Sequence, residues 1–123
     1  MTMLATPRLH TRWYQNAVRN LSVVAYVRRD DLGSGPAFSL YRGTVELARF
    51  DLFVSDALGT NGAHYHFARE PRQPRHFYPA GLTLGEYLDL AIADLVRLYP
   101  SAAGAVGWIR RQITELAVLA IAA

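Results

Sequence analysis

The sequence Thr83-Leu84-Gly85-Glu86 decides the fold, because it separates a β-rich front from a helical tail. Thr83 can cap the amide three residues on while Glu86 reaches back, and this capping box is typical of a helix start. Apolar residues then recur at helical spacing until Pro100, which ends the helix. Ser101 can cap a second helix that runs to the C-terminus. The sequence therefore predicts two C-terminal helices.

The residues before Thr83 predict strands. Residues 22–29 (SVVAYVRR) are β-branched and aromatic, as strand residues usually are. Strands are also predicted over 37–42, 45–54 and 63–69, and a short edge strand at 76–78. Loops are predicted over 30–36 and 55–62. Residues 9–21 fit both a helix and a strand. Because strands precede helices rather than alternating with them, we predict a single α+β domain over residues 1–123. Its antiparallel sheet has four to five strands and is followed by two C-terminal helices.

The composition excludes several classes of protein. The 123 residues contain no cysteine, which rules out disulfides, thiolate metal sites and cysteine nucleophiles. Glycine-rich phosphate loops and dinucleotide fingerprints are absent, so no nucleotide cofactor is expected. The N-terminus lacks the pattern of a signal peptide, and the longest apolar run, 116–123, falls well short of the roughly 20 residues of a membrane span. We therefore expect a cytoplasmic protein with no membrane partner.

All thirteen basic residues are arginine, and the net charge is +3. A GC-rich genome is the simpler explanation for arginine without lysine. The functional explanation is that the planar guanidinium group suits phosphate and carboxylate partners. The net charge permits binding to nucleic acid but does not require it.

A pair of histidines lies in the predicted strand Ala63-His64-Tyr65-His66-Phe67. Because side chains alternate along a strand, His64 and His66 share one face and Tyr65 and Phe67 the other. A symmetric hairpin with residues 45–54 places Asp51 opposite His66 and Phe53 opposite His64. Arg49 and Asp51 then join the histidines on a solvated polar face, and Phe50 and Leu52 join the aromatic residues on a buried face.

Three interpretations of Asp51, His64 and His66 stay open. Two imidazoles and a carboxylate are a common ligand set for a divalent metal ion, which activates a bound water when one coordination position is open. Alternatively, a histidine held by Asp51 acts as a general base in metal-free catalysis, and Arg49 or Arg69 stabilises a phosphorane charge. The third interpretation is a cross-strand pair on a solvated sheet face, without a chemical role.

The segment after the histidine strand is rich in arginine. Arg69, Arg72, Arg75 and His76 are interleaved with prolines and followed by Phe77 and Tyr78. Arginine together with aromatic rings suits phosphates and unstacked bases, which favours a substrate-binding rim for RNA. A proline-stiffened surface connection with solvated arginines is the plainer interpretation.

The end of the second predicted helix is apolar on nearly every face. Within residues 113–121 only Thr114 and Glu115 are polar. A two-helix layer on one sheet face covers a stripe of such a helix but hardly its whole circumference. We therefore predict a homodimer or protein-partner interface that includes Ile113, Leu116, Leu119 and Ile121.

The chain resembles the small TumE-type toxins of bacterial toxin–antitoxin pairs over residues 37–98. The matching features are Arg49-Phe50-Asp51, a polar loop, the pair His64 and His66, and the helix that opens at Thr83. Leu52, Phe53 and Val54 stand where that family usually carries further histidines. The resemblance implies a small toxin that acts on RNA and is neutralised by a partner protein.

Two classes of function remain. One is an RNA-directed hydrolase with Asp51, His64 and His66 as catalytic or metal-binding residues. In that class phosphate is bound by Arg49, Arg69, Arg72, Arg75 and His76. The other is a non-catalytic interaction protein that dimerises or docks on a partner through its apolar C-terminal helix.

Overall fold

The computed structural model describes residues 8–16, 20–30, 33–53 and 62–122 and confirms the α+β architecture. The sheet is entirely antiparallel and has six strands rather than four to five, in the order of the chain. The strands are β1 (Leu9–Asn16), β2 (Leu21–Asp30), β3 (Gly33–Arg42), β4 (Val45–Asp51), β5 (His64–Phe67) and β6 (His76–Phe77). They are followed by α1 (Leu84–Leu98), a 3₁₀ helix (Pro100–Ala105) and α2 (Val106–Ala122).

Two segments of the sheet differ from the sequence prediction. Residues 9–16, which fitted both a helix and a strand, form β1 and pair with β2. The predicted loop over 30–36 is largely strand, because β3 begins at Gly33. Pro36 is tolerated there since its carbonyl faces β4, where it accepts a hydrogen bond from the amide of Leu52 at 2.9 Å. The nitrogen of Pro36, which carries no hydrogen, faces the same side at the end of the β3–β4 pairing. No hydrogen bond between β3 and β2 is therefore lost.

Both helices pack on one face of the sheet, the helix face. Alternate residues of β2, β3 and β4 point to it and form one apolar cluster with the helices. α2 lies across β2 and β3, and α1 packs beside it with Tyr87 near Tyr78 of the sheet edge. The buried residues of this cluster include Val23, Ala25, Val27, Phe38, Leu40, Phe50, Leu52, Ala91, Leu95, Ile109, Ile113 and Leu116.

The predicted capping box is present. The amide of Glu86 donates to Oγ1 of Thr83 at 3.1 Å, and the amide of Thr83 donates to Oε1 of Glu86 at 3.0 Å. The second helix differs from the prediction that Ser101 caps it. Pro100 opens a 3₁₀ helix, and α2 begins only at Val106. None of the described helices has the length and apolar character needed to cross a membrane.

The prediction for the C-terminal helix overestimated its uncovered apolar surface. Ile113 and Leu116 are fully buried by the chain itself, so these two residues give no support to an interface. Ala117 and Ala120 are buried as well, and Ala120 belongs to the cluster with the sheet, where its short side chain lets α2 lie close. Of the predicted residues, Leu119 is half-buried, and the side chain of Ile121 lies outside the described residues. A homodimer or partner stays a prediction that depends on Leu119 and the exposed Val118.

Two neighbouring substitutions in α2 measure this packing. We expect Leu116→Ala to lower the free energy of unfolding by about 2–5 kcal/mol, because it leaves a cavity in the core. Val118→Ala serves as the matched control, since the Val118 side chain is 65% exposed, and we expect a change within about 0.5 kcal/mol. Urea denaturation with light scattering on all three proteins is the measurement. A large loss in Val118→Ala together with a dimeric wild type would instead place α2 in an interface.

Candidate metal centre

The pairing of β4 with β5 brings the predicted site residues to one face of the sheet. Asp51 lies opposite His64, and Arg49 lies opposite His66. The predicted register, with Asp51 opposite His66, is therefore wrong by two residues. A shift of two residues keeps every side chain on its face, so the prediction that these four residues share a face is confirmed. We call this the histidine face.

The predicted solvent exposure of the histidine face is wrong, and on the other face Phe50 and Leu52 are buried as predicted while Tyr65 and Phe67 are not. Asp51 and His64 are fully buried and His66 is 7% exposed, whereas Tyr65 on the opposite face is only half-buried. The histidine face is covered because the rings of Phe53 and Phe77 lie 5.6 and 5.4 Å from the ring of His64. Tyr65 lies near the sheet edge, beyond the strands that α2 covers. The site is thus a buried polar cluster rather than a solvated face.

Two arginines hold the carboxylate of Asp51. Nη1 of Arg28 lies 3.2 Å from both carboxylate oxygens, and Nε of Arg49 donates to Oδ2 at 3.1 Å. Burial raises the pKa of Asp51, but the contact with His64 and the charges of Arg49 and Arg28 outweigh it and hold the pKa well below its ordinary value. Asp51 is therefore an anion at neutral pH, although no part of it reaches solvent.

Sequence reasoning missed Arg28, which belongs to β2. Arg28 lies opposite Gly35, and Asp51 lies opposite Ala37 on the other side of β3. Gly35 and Ala37 carry little or no side chain, so Arg28 can reach across β3 to the carboxylate two strands away. The small residues Gly35 and Ala37 on β3 could have indicated this contact, but only if the order and register of β2, β3 and β4 had been known.

Backbone carbonyls fix the ring orientation of both histidines. Nδ1 of His64 lies 2.5 Å from the carbonyl oxygen of Gly62, and Nδ1 of His66 lies 2.8 Å from that of Gln73. A carbonyl oxygen only accepts hydrogen bonds, so Nδ1 is the donor in both rings. In the neutral ring Nε2 then carries the lone pair. The fixed tautomer with a free Nε2 is the arrangement that metal-ligating histidines use.

The two Nε2 atoms converge on the same carboxylate oxygen. Nε2 of His64 is 3.1 Å and Nε2 of His66 is 3.7 Å from Oδ2 of Asp51. Both Nε2 atoms are buried, and neither makes a hydrogen bond. Nε2 of His64 is within hydrogen-bond distance of Oδ2, but the geometry of this contact does not meet the criteria for a hydrogen bond. Buried polar atoms without partners are rare and costly. A proton on one Nε2 atom, shared with Oδ2 of Asp51, or a metal cation would satisfy these atoms.

Asp51, His64 and His66 form a group that can hold a metal ion. One ligand atom from each lies within 4.8 Å of the others. Tetrahedral coordination with bonds of about 2.0–2.1 Å separates ligand atoms by about 3.3 Å. The separations of 3.1 and 3.7 Å lie on either side of that value. Since the ligand atoms of the group are up to 4.8 Å apart, the rings would have to move to bring all three atoms to this distance.

The electrostatics of His66 favour the form that binds metal. Burial lowers the pKa of His66 and the charge of Arg49 lowers it further, whereas the hydrogen bond with the carbonyl of Gln73 and the charge of Asp51 raise it. The net effect is a pKa below the ordinary value, so the ring is neutral at neutral pH. A neutral ring offers the Nε2 lone pair to a cation or to an acidic proton.

The arginine loop, residues 69–75, is attached to the site by its backbone. Arg72 and Gln73 have positive φ angles of 66° and 43°. Left-handed conformations are unfavourable for these residue types. The amide of Gln73 donates to the carbonyl of Glu70 at 3.0 Å, and the carbonyl of Gln73 receives the Nδ1 hydrogen of His66. Contacts of the loop therefore offset the backbone strain at Arg72 and Gln73, and the resulting conformation places the carbonyl of Gln73 against His66.

The predicted substrate-binding residues of this segment are not gathered around the metal centre. His76 lies opposite Tyr65, stacks on its ring at 4.8 Å and pairs with Oε1 of Glu70 at 2.5 Å. The guanidinium group of Arg69 lies 5.9 Å from the ring of Phe67, on the same face. Arg72 and Arg75 are exposed. Of the predicted binding residues, Arg49 has a described side-chain contact with the centre.

Comparison with known proteins gave no relatives. No family model, curated protein or solved structure matches the chain.

A substitution of the buried carboxylate measures how far the site depends on it. We expect Asp51→Asn to lower the free energy of unfolding by about 3–5 kcal/mol, because it leaves Arg28 and Arg49 without their anion. Asp89→Asn is the matched control. Asp89 forms an exposed ion pair with Arg110, and its loss should cost no more than about 1 kcal/mol.

Urea denaturation in the presence of a chelator is the measurement, so that bound metal does not contribute to the difference. Equal, small effects of both substitutions would contradict the conclusion that Asp51 is a buried and necessary counter-charge.

Proposed function

We propose that this chain is a metal-dependent hydrolase that cleaves phosphodiester bonds of RNA at the centre formed by Asp51, His64 and His66. The observation that carries the proposal is the convergence of two buried Nε2 atoms without hydrogen-bond partners on Oδ2 of Asp51. A purely structural histidine pair would have its polar atoms satisfied. A divalent cation satisfies all three atoms at once.

The donor set also indicates the class of metal ion. Two imidazoles and one carboxylate suit zinc, iron, nickel and manganese better than calcium or magnesium, which prefer oxygen ligands. Three protein ligands are typical of catalytic rather than structural zinc sites, because one position stays open for water. A bound metal ion would lower the pKa of that water and stabilise negative charge on a phosphoryl group.

The chain's own residues complete the chemistry. Arg28 and Arg49 keep Asp51 ionised and oriented, and the carbonyls of Gly62 and Gln73 hold the rings of His64 and His66. Arg49 uses Nε for Asp51 and its side chain is 22% exposed. We propose that its terminal amino groups stabilise charge on a phosphoryl oxygen.

RNA is proposed as the substrate from the loop whose backbone supports His66. This loop carries the exposed Arg69, Arg72 and Arg75, and the guanidinium group of Arg69 lies near the ring of Phe67 on the face opposite to the centre. Arginine and aromatic groups together bind single-stranded nucleic acid. The resemblance to TumE-type toxins points to the same substrate and adds a neutralising protein partner.

A non-catalytic interaction protein is the second candidate. Its support is the exposed Val118 and the half-buried Leu119 on the outer side of α2. One exposed valine is ordinary on a protein surface, so this observation supports the candidate less than the buried donor set supports a metal centre.

Metal binding is the first test. We expect the chelator-treated wild type to bind one equivalent of zinc, manganese or nickel in titration calorimetry. His66→Ala should weaken binding by at least about 100-fold, because loss of a supporting residue alone already costs 10- to 100-fold. The control is His76→Ala, which removes a histidine from the opposite face and should leave binding unchanged. Absence of binding for all three metal ions would exclude a metal centre and leave metal-free acid–base chemistry or an interaction protein.

Cleavage of RNA is the second test. We expect the metal-loaded wild type to cleave a labelled single-stranded RNA and His66→Ala to have lost that activity. The same assay on bis(4-nitrophenyl) phosphate asks whether the centre acts on phosphodiesters in general. Metal binding without cleavage of either substrate would contradict the proposed hydrolase activity and favour an interaction protein. Light scattering would then measure its oligomeric state.

A further inference from the structure

Four rings on the helix face form a continuous stack that runs across the sheet to its edge. They belong to cross-strand neighbours on β3, β4, β5 and β6, which are Phe38, Phe50, Tyr65 and His76. The ring centroids are 4.8, 5.9 and 4.8 Å apart in this order, and the planes meet at 16°, 28° and 20°. We call these four residues the ring ladder.

The ring ladder is buried at one end and exposed at the other. Phe38 and Phe50 are fully buried, Tyr65 is half-buried, and the side chain of His76 is 34% exposed. Among the described residues β6 is the last strand of the sheet, so the ladder ends at His76. Since one face of the imidazole ring stacks on Tyr65, its other face lies on the outer side of the sheet edge.

The exposed end of the ladder is held in a fixed orientation. Nε2 of His76 pairs with Oε1 of Glu70 at 2.5 Å, and the ring of Phe67 lies 5.8 Å from the imidazole ring at an angle of 51°. Tyr65 is held in turn by Tyr78, whose ring lies 5.4 Å from its own. A planar ligand would therefore stack on a surface that loses little conformational freedom on binding.

The surroundings of the exposed ring favour an anionic ligand over an uncharged one. The guanidinium group of Arg69 lies 5.9 Å from the ring of Phe67, which itself contacts His76. Arg72 is exposed in the same loop, four residues before His76. The carboxylate of Glu70 is engaged by His76, so a cationic partner would find little free negative charge there.

The backbone of this edge is unsuited to pairing with another strand. β6 is only two residues long, and Pro74 and Pro79 lie two residues before and after it. Proline lacks the amide hydrogen that strand pairing requires. Side chains rather than backbone groups therefore offer the binding surface at this edge.

We propose that the outer face of His76 stacks on a nucleobase of single-stranded RNA while Arg69 and Arg72 bind the adjoining phosphates. The inference rests on the proposed RNA substrate but not on the metal centre, and it states where the substrate is anchored. A nucleotide combines a planar ring with a negative charge, which matches an exposed ring beside guanidinium groups. Stacking accepts every base, so this RNA anchor has little sequence preference.

The RNA anchor lies at the same edge of the sheet as the metal centre. His76 and Phe77 are neighbours on β6 and point to opposite faces, and the ring of Phe77 lies 5.4 Å from that of His64. The loop before β6 also reaches the centre, through the carbonyl of Gln73. An RNA strand that passes over this edge would connect a base on His76 with a phosphate at the centre.

The experiment measures RNA binding by the full chain in the presence of a chelator, so that metal binding and cleavage do not contribute. The probes are a short labelled single-stranded RNA and an abasic strand of the same length, which carries the phosphates without the bases. In fluorescence anisotropy we expect the wild type to bind the RNA at least about fivefold more tightly, the lower end of what one stacked base contributes.

Substitutions separate stacking from charge. His76→Leu keeps an apolar side chain without a ring, and we expect it to bind RNA at least about fivefold more weakly and the abasic strand unchanged. His76→Phe keeps a ring and should bind RNA like the wild type. Arg69→Gln should weaken both probes by the same factor. Trp13→Ala is the matched control, because Trp13 is a 56% exposed ring on β1, at the other edge of the sheet.

The outcomes distinguish this inference from the proposed function. Equal affinity of the wild type for RNA and the abasic strand would overturn the stacking site, whether or not the variants fold. Weaker binding of both probes by His76→Leu would make His76 a support of the loop only and would overturn it as well. A dimeric wild type that His76→Leu converts to a monomer in light scattering would assign the exposed ring to a second copy instead.

The relation to cleavage completes the test. If the metal-loaded wild type cleaves RNA and His76→Leu binds and cleaves it equally well, only the inference is wrong. If the wild type neither binds nor cleaves RNA, the inference and the proposed substrate are both wrong.

Discussion

Among the described residues, the structure depends most on one buried carboxylate, that of Asp51 on β4. A carboxylate without contact to solvent is tolerated only where opposite charges and hydrogen-bond donors surround it. Here the counter-charges come from Arg28 on β2 and Arg49 on β4, and a further contact comes from His64 on β5. Asp51 thus joins three strands through side chains as well as through the backbone pairing of the sheet. The contact between Arg28 and Asp51 also explains why β3, which lies between them, carries the small residues Gly35 and Ala37 where the arginine side chain passes over the strand.

The two faces of the sheet are stabilised in different ways. The helix face is apolar from β2 to α2, and its stability comes from burial and close packing. The histidine face holds charged and titratable groups whose net contribution to stability is small, because desolvation offsets their attraction. Such a cluster is retained for specificity or for chemistry. Its two Nε2 atoms without hydrogen-bond partners favour chemistry.

The sequence was sufficient for features set by neighbouring residues. The capping box at Thr83 and the alternation of His64, Tyr65, His66 and Phe67 follow from local geometry and were predicted correctly. The shared face of Arg49, Asp51 and the histidines was also predictable, because a register error of two residues does not exchange faces. The exact register was not, since it depends on the geometry of the long connection between β4 and β5.

Features set by distant residues could not be predicted in the same way. The contact of Arg28 with Asp51 requires knowledge of the strand order, and the burial of His64 requires knowledge of where Phe53 and Phe77 lie. The apolar end of α2 was overestimated as an interface for the same reason. A helical pattern shows which positions of a helix are apolar, but not how closely a small residue such as Ala120 allows the helix to approach the sheet.

The order of the strands has a consequence for how the protein is made. Each strand pairs with the one that precedes it in the chain, so the sheet can grow by successive hairpins as the polypeptide leaves the ribosome. Arg28, Arg49 and Asp51 are synthesised first, then the two histidines, and the carbonyl of Gln73 follows seven residues after His66. All of them precede both helices. A nascent chain that ends before Thr83 would therefore already contain every described donor and acceptor of the centre, while the apolar side of its sheet would still be uncovered.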